Sequence, residues 1–294
     1  MKKQFSLISS LILTLTLQAE VITITPFAGF IDYSDDAKES IKSHSYLGGF
    51  YSSIGTLEYL GELAYSYVDT TYKESLALEN LKQHDVTLSY GAYDLDGMYK
   101  VGLHYTYTND LILNDGITAI ASLGGYHFFG YSKLSYGVQG YYSLYPKGRD
   151  ETQAYNTPFK AVSVLQSSVY LSYYHPLSYE SSNTLSLQLD YQYAPNYVQQ
   201  NYLSYTLSDS FYYHGAYATL SAYFGEMRSG VKDGGFTVYN SLDLHKSGLH
   251  AKIGYYFTPA SRLGLSYSSM VYQEYFLTQD TRTQVGLLDY SYRF

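Results

Sequence analysis

The sequence predicts an all-β protein: one antiparallel up-and-down β-barrel that crosses a membrane, with fourteen strands as the first choice and twelve as the second. Three observations lead there. Apolar and polar residues alternate with a period of two along most of the chain. The connections between these stretches run long, short, long, short, as antiparallel hairpins do when their two rims differ. Aromatic residues are abundant, with 40 Tyr and 13 Phe, while charged residues make up only 15%. A water-soluble domain ordinarily carries about 25% charged residues. Tyrosine suits a boundary that is apolar on one side and wet on the other.

The chain opens MKKQFSLISSLILTLTLQAE. Lys2 and Lys3 form a basic start, Phe5 to Leu17 is an apolar stretch broken only by small polar residues, and Leu17-Gln18-Ala19 is a small-residue cleavage site. This is the pattern of a secretory signal peptide over 1–19. The apolar run is too short and too polar for a membrane helix. Without cysteine there is no lipid-modified cysteine at the junction and no disulfide framework. Two of the 18 basic residues leave with the leader and none of the 26 acidic ones does, so the mature chain is more acidic still. That balance argues against a nucleic-acid partner. No linker, helical domain or fixed-period repeat divides 20–294, which reads as one barrel domain.

The strands follow in order at 20–33, 44–53, 57–69, 83–93, 98–108, 116–128, 132–145, 159–175, 183–194, 210–224, 235–245, 249–257, 262–273 and 282–294. Segment 184–193, TLSLQLDYQY, alternates without a break: Leu185, Leu187, Leu189, Tyr191 and Tyr193 against Thr184, Ser186, Gln188, Asp190 and Gln192. Segments 57–67 and 99–107 do the same, with Leu60 the one misfit. The faces of 20–33, 116–128 and 210–224 are blurred, and losing one hairpin there gives the count of twelve. Long polar connections fall at 34–44, 70–82, 109–115, 146–158, 195–209, 245–248 and 274–281. Mostly shorter turns fall near 53–56, 93–97, 129–131, 176–182, 225–234 and 258–261. An even strand count puts both termini on one rim.

A soluble β-sandwich also alternates, but its apolar face is a core filled from two facing sheets. Here that face carries Tyr toward the strand ends, as in Tyr65 and Tyr67, Tyr105 and Tyr107, Tyr191 and Tyr193, with Leu, Val and Ile between. Aromatic girdles around an aliphatic band mark a lipid-facing surface. Backbone groups in lipid have to be paired within the protein, so the sheet has to close.

The last segment, QVGLLDYSYRF, keeps the alternation to the final residue. It resembles the C-terminal signal of bacterial outer-membrane β-barrel proteins, whose last strand ends in Phe with hydrophobic residues at alternate positions before it. Gly286, Leu288, Tyr290, Tyr292 and Phe294 match that pattern position for position. The resemblance implies a bacterial outer-membrane location, contact with outer-membrane lipid, and recognition of this strand by the barrel-assembly machinery.

If the apolar face looks outward, the other face lines the lumen. Parity assigns Glu58, Glu62, Asp85, Lys100, His104, Lys133, Asp190, Asp243, Lys252 and Arg262 inward, together with Asp289 and Arg293. Both signs occur in near balance among small polar residues, as a wet lumen requires. A barrel of this width is not filled by side chains alone. The expectation is therefore a porin-like channel for passive diffusion of small polar solutes or ions, with weak selectivity and a mild cation preference from the acidic rims. The loops 146–158 and 195–209 are the candidates for folding inward. The alternatives are a non-channel barrel (an adhesin, a receptor or a partner of an export system) and a transporter of apolar substrates like the fatty-acid channel class. That class carries an N-terminal plug, for which a first strand starting near residue 21 leaves no room. No Ser–His arrangement, metal-ligand spacing or cofactor loop stands out, so the reading is of a non-enzyme without metal or cofactor.

Overall fold

The computed structural model describes residues 21–33, 41–56, 58–73, 79–94, 97–109, 113, 115–148, 160–239, 241–275 and 278–294. The leader at 1–19 and most of the loop expected at 146–158 lie outside the described residues.

Alternation of side chains forces extended backbone, and the backbone closes into one fourteen-strand antiparallel barrel. Its strands are β1 (Val21–Tyr33), β2 (Lys42–Gly55), β3 (Tyr59–Tyr72), β4 (Leu81–Tyr93), β5 (Gly97–Thr108), β6 (Gly116–Phe129), β7 (Ser132–Gly148), β8 (Lys160–Pro176), β9 (Ser181–Tyr193), β10 (Asn201–Tyr213), β11 (Ala216–Arg228), β14 (Leu244–Thr258), β15 (Ser261–Gln273) and β16 (Asp280–Arg293). The two remaining strands, β12 (Val231–Lys232) and β13 (Thr237–Val238), pair only with each other. Each barrel strand pairs with its neighbours in sequence order, and β1 closes the ring against β16, with Thr23 opposite Arg293 and Phe27 opposite Asp289. The Phe294 N–H donates to the Ile22 carbonyl at 2.8 Å, so the ladder runs to the last residue.

The strands are 12 to 17 residues long, enough to cross a bilayer at the tilt of a barrel. Their outward face is apolar and open. Leu88, Val169 and Leu220 are 58%, 56% and 61% exposed, a state that water would not tolerate over a whole belt and that lipid favours. Aromatic rings flank this belt on both sides, with Tyr67 and Tyr107 toward one rim and Tyr99, Phe129, Tyr173 and Phe257 toward the other. Replacing Leu187, at the middle of β9, by Arg is expected to cost about 2–4 kcal/mol of folding stability, the range for a cation at mid-depth. Urea titration of the protein refolded in lipid vesicles checks it.

Fourteen strands is the expected number, but four segments differ. Segment 201–208, read as loop, is the first half of β10. The expected strand 210–224 contains a hairpin turn at His214 and Gly215, whose φ values of 48° and 83° are both left-handed. That is the geometry of a tight two-residue hairpin, and Gly215 supplies the second position without strain. The expected strand 235–245 is not a wall strand. It belongs to the connection 229–243 between β11 and β14, which turns into the barrel. Likewise 245–248, read as a connection, lies within β14. One surplus strand and one missing strand cancelled in the count.

The two rims are unlike. The turns at 130–131, 177–180, 214–215 and 259–260 lie at one rim, the short-turn rim, with Val21, Phe294 and the facing ends of β2 and β3 and of β4 and β5. At the other, the long-loop rim, end β1 and β2, β3 and β4, β5 and β6, β7 and β8, β9 and β10, β11 and β14, and β15 and β16, the pairs that flank the longer connections.

Candidate functional site

The lumen is divided by the connection 229–243. β12 and β13 form a small hairpin around a 3-10 turn at Asp233–Gly235, with Val231 opposite Val238 and Lys232 opposite Thr237. Thr237 Oγ1 donates to Asp233 Oδ2 at 2.7 Å across the turn. The Tyr239 N–H donates to the Gly230 carbonyl at 2.8 Å and holds the two arms together.

Wall residues fix this hairpin at its base and at its tip. At the base, Gln166 on β8 donates from Nε2 to the Val231 carbonyl at 2.8 Å, and its Oε1 accepts from the Val231 N–H at 2.8 Å. Gln192 on β9 orients that amide, donating to Gln166 Oε1 at 3.1 Å while accepting from the Arg228 N–H at 3.1 Å. At the tip, the Gly235 carbonyl oxygen lies 3.5 Å from Thr87 Oγ1 and 3.2 Å from His104 Nδ1. Gly235 has φ 101° and packs so closely that a Cβ would overlap Ile120 Cδ1. Phe236 stands between two wall residues, with Lys100 Nζ 4.4 Å from its ring centre and the Tyr51 ring edge-on at 5.2 Å. Lys232 Nζ lies 3.5 Å from the centre of the Tyr223 ring. Ile120, Tyr141, Val231 and Val238 are buried together as a small apolar cluster between hairpin and wall. A second such cluster, with Tyr145, Val162, Val164, Tyr197, Tyr202, Leu242 and Leu244, closes the same side near the long-loop rim.

The expected lumen residues fall into this scheme as follows. Glu62 receives Lys100 at 2.6 Å, Tyr51 at 2.8 Å and Ser89 at 2.6 Å. Asp85 meets His104 Nε2 at 3.1 Å and receives Thr106 at 2.8 Å and Gln83 at 2.8 Å. Asp190 receives Ser168 and Gln188. Lys133 points inward near the short-turn rim, 5.8 Å from the Tyr126 ring. Lys252 and Arg262 both reach Asp289, each at 2.8 Å. Asp243 is inward but is the last residue of the connection, not part of a strand, and it pairs with Lys42. Burial raises the Asp243 pKa, but the Lys42 ammonium and its hydrogen bonds outweigh this and hold it below the usual carboxylate value. The carboxylate and its latch to Lys42 therefore persist through mildly acidic pH and fail only as pH falls below the ordinary carboxylate range. Glu58 is corrected: β3 begins at Tyr59, so Glu58 lies exposed in the turn and not on a lumen-facing position. Gly286, Leu288, Tyr290, Tyr292 and Phe294 share the outward face of the final segment, all of it exposed.

Thr87, His104 and Asp85 form a line that superficially has the order of a hydrolase triad. Thr87 and His104 are each 1% exposed, and the Gly235 carbonyl occupies the approach. The arrangement anchors the hairpin instead. Removing a buried partner leaves the other groups unsatisfied at about 1–3 kcal/mol each. Gln166→Leu is therefore expected to loosen the hairpin base and to speed hydrogen exchange at the Val231 amide by about tenfold or more. Exchange followed by NMR or mass spectrometry in detergent micelles checks it.

The hairpin leans on the β4–β11 side and leaves a cavity of about 860 Å3 on the other side. This cavity runs from Tyr33, Lys42, Asp243 and Tyr272 near the long-loop rim to Thr23, Pro259, Arg262, Ser291 and Arg293 at the short-turn rim. Its inner wall is the hairpin, through Asp233, Phe236, Val238 and Tyr239. Its outer wall is the barrel on either side of the β1–β16 seam. Sequence reasoning missed the hairpin, Lys42, Thr87 and Gln166. The signal available for the first was the pair Gly234-Gly235 after Lys232-Asp233, which reads equally as a turn at the rim.

A closed fourteen-strand barrel, apolar outside and polar within, has the fold of bacterial outer-membrane β-barrel channels. Solved structures agree. The Pseudomonas putida toluene transporter TodX is 9% identical over 96% of this chain and 92% of its own, with a TM-score of 0.53. The Ralstonia pickettii toluene transporter TbuX is 8% identical over 96% of this chain and 91% of its own, with a TM-score of 0.54. Acinetobacter baumannii OccAB1 is 8% identical over 95% of this chain and 99% of its own, with a TM-score of 0.50. At these identities the likeness is one of fold. No protein-family profile and no curated protein matches the chain.

Proposed function

We propose that this protein is an outer-membrane channel that lets small polar solutes or ions diffuse passively through the space beside the lumenal hairpin. The long-loop rim faces the cell exterior and the short-turn rim faces the periplasm. Residues 1–19 are removed on export, leaving one barrel domain, and the assembly machinery engages the final strand. The observation that carries the reading is the rim-to-rim course of the cavity. Spread over a hydrocarbon thickness of roughly 30 Å, its volume corresponds to a mean cross-section of about 30 Å2, enough for a file of water and small solutes. The charged lining residues balance, with Lys42, Lys252, Arg262 and Arg293 against Asp85, Asp233, Asp243 and Asp289, which supports weak ion selectivity.

A second reading, passage of apolar solutes, draws on Phe27, Ile31, Leu47, Val68, Val285 and Leu287, which give part of the cavity an apolar wall. Single-channel recording of the refolded mature protein in a planar bilayer separates these readings from a sealed barrel. Steady current steps that grow with salt concentration support an open aqueous passage. A correctly folded barrel without steps removes it and moves the function to the loops or the outer surface.

A further inference from the structure

We infer that the lumen holds a binding site for a small organic anion with an apolar body, of the aromatic carboxylate class, where the apolar wall meets Lys252 and Arg262. The inference deepens the channel reading and rests on it.

The charges are balanced along the passage as a whole but segregated within it. Asp85 is taken up by His104 and Thr106, Asp243 by Lys42, and Asp233 by Thr237. Lower down, two cations share one acid: Arg262 reaches Asp289 Oδ1 and Lys252 reaches Asp289 Oδ2. That leaves one positive charge uncompensated at this level, with Arg293 beyond it at the mouth. Arg262 keeps 24% of its side chain exposed while it holds Asp289, and a guanidinium has several N–H donors in a planar fork suited to a carboxylate.

The apolar half of the site is contiguous with the charged half. Phe27 stands directly opposite Asp289 across the seam. One row toward the exterior, Val68, Leu47, Gly29 and Leu287 are successive register partners, and the same row continues through Ser266 to Lys252. A single row of hydrogen-bonded neighbours thus passes from aliphatic to cationic. Phe236 and Val238 of the hairpin close over it from the lumen side. Chloride gains only from the cations, and a neutral hydrocarbon gains only from the apolar row. A ring bearing a carboxylate gains from both. If the three ions served only to brace the wall, the adjoining apolar row would have no part in anion affinity, and that difference is measurable.

The test is block of KCl current through the mature protein in a planar bilayer by benzoate, with acetate and benzyl alcohol as controls. Benzoate is expected to block at a concentration about tenfold lower than either control, the low end for one charge-assisted hydrogen bond added to apolar contact. Arg262→Gln and, separately, Leu287→Ser are each expected to weaken the block by a similar factor. Lys252→Gln replaces the first variant if that one does not refold. Equal block by acetate, equal block by benzyl alcohol, or unchanged block in the variants each overturns the site. Absence of any current steps in the unmodified protein refutes the channel reading instead. Calorimetric titration of benzoate into the same refolded barrel then decides the site, with no binding heat overturning it.

Discussion

Replacing residues 231–238 by a short Gly-Ser link is expected to raise single-channel conductance on the order of two- to threefold, because current follows the open cross-section of the lumen. The hairpin enters the barrel and forms the inner wall of the passage of about 860 Å3. Gly235→Leu tests the same point with one side chain. The backbone there is left-handed, and the added Cβ would overlap Ile120, so the tip has to leave its seat. Its conductance is expected to rise in the same direction with noisier steps. An unchanged conductance in the deletion would mean that current never passed beside the hairpin.

Phe294→Ala is expected to lower the amount of assembled barrel in the outer membrane severalfold, read as the fraction that resists unfolding in cold detergent on a gel. Two physical roles converge on that residue. Its ring sits outward, 4.8 Å from the Tyr292 ring, at the exposed edge that the resemblance to outer-membrane barrels assigns to recognition. Its N–H closes the last hydrogen bond of the seam, to Ile22. The substitution keeps the backbone bond and removes only the ring. Refolding of the purified variant in detergent should therefore proceed as for the unmodified protein. If it also fails to refold in detergent, the ring serves the seam itself and not recognition.

The outside of this barrel was legible in the sequence because lipid imposes one rule on every outward position. Leu185, Leu187 and Leu189 obey it, and so do Leu288, Tyr290 and Tyr292, so period-two counting found most of the wall strands, while the total of fourteen agreed because one surplus and one missed strand cancelled. The inside follows no single rule. Ile120 faces inward because Gly235 covers it, and Phe27, Leu47 and Leu287 face inward because that stretch of the lumen is apolar. Such residues blurred the faces of 20–33 and 116–128. The hairpin was misread for the same reason. A segment that packs against a partly dry interior alternates over a few residues as a wall strand does, and only the register of β11 with β14 separates the two. His214-Gly215 was missed because a turn of two residues interrupts the alternation too briefly to mark itself.

The passage is built across the seam. Thr23, Phe27 and Ile31 come from the first strand, and Val285, Asp289 and Arg293 from the last, and they meet only when β1 pairs with β16. The chain's first-made and last-made strands are therefore the two halves of one conduit wall. Until the final strand docks, that wall has an open edge and no continuous bore, so a partly inserted intermediate offers no defined leak of its own. Completion of the protein and opening of the conduit are the same event, and a chain that loses its final strand loses both together.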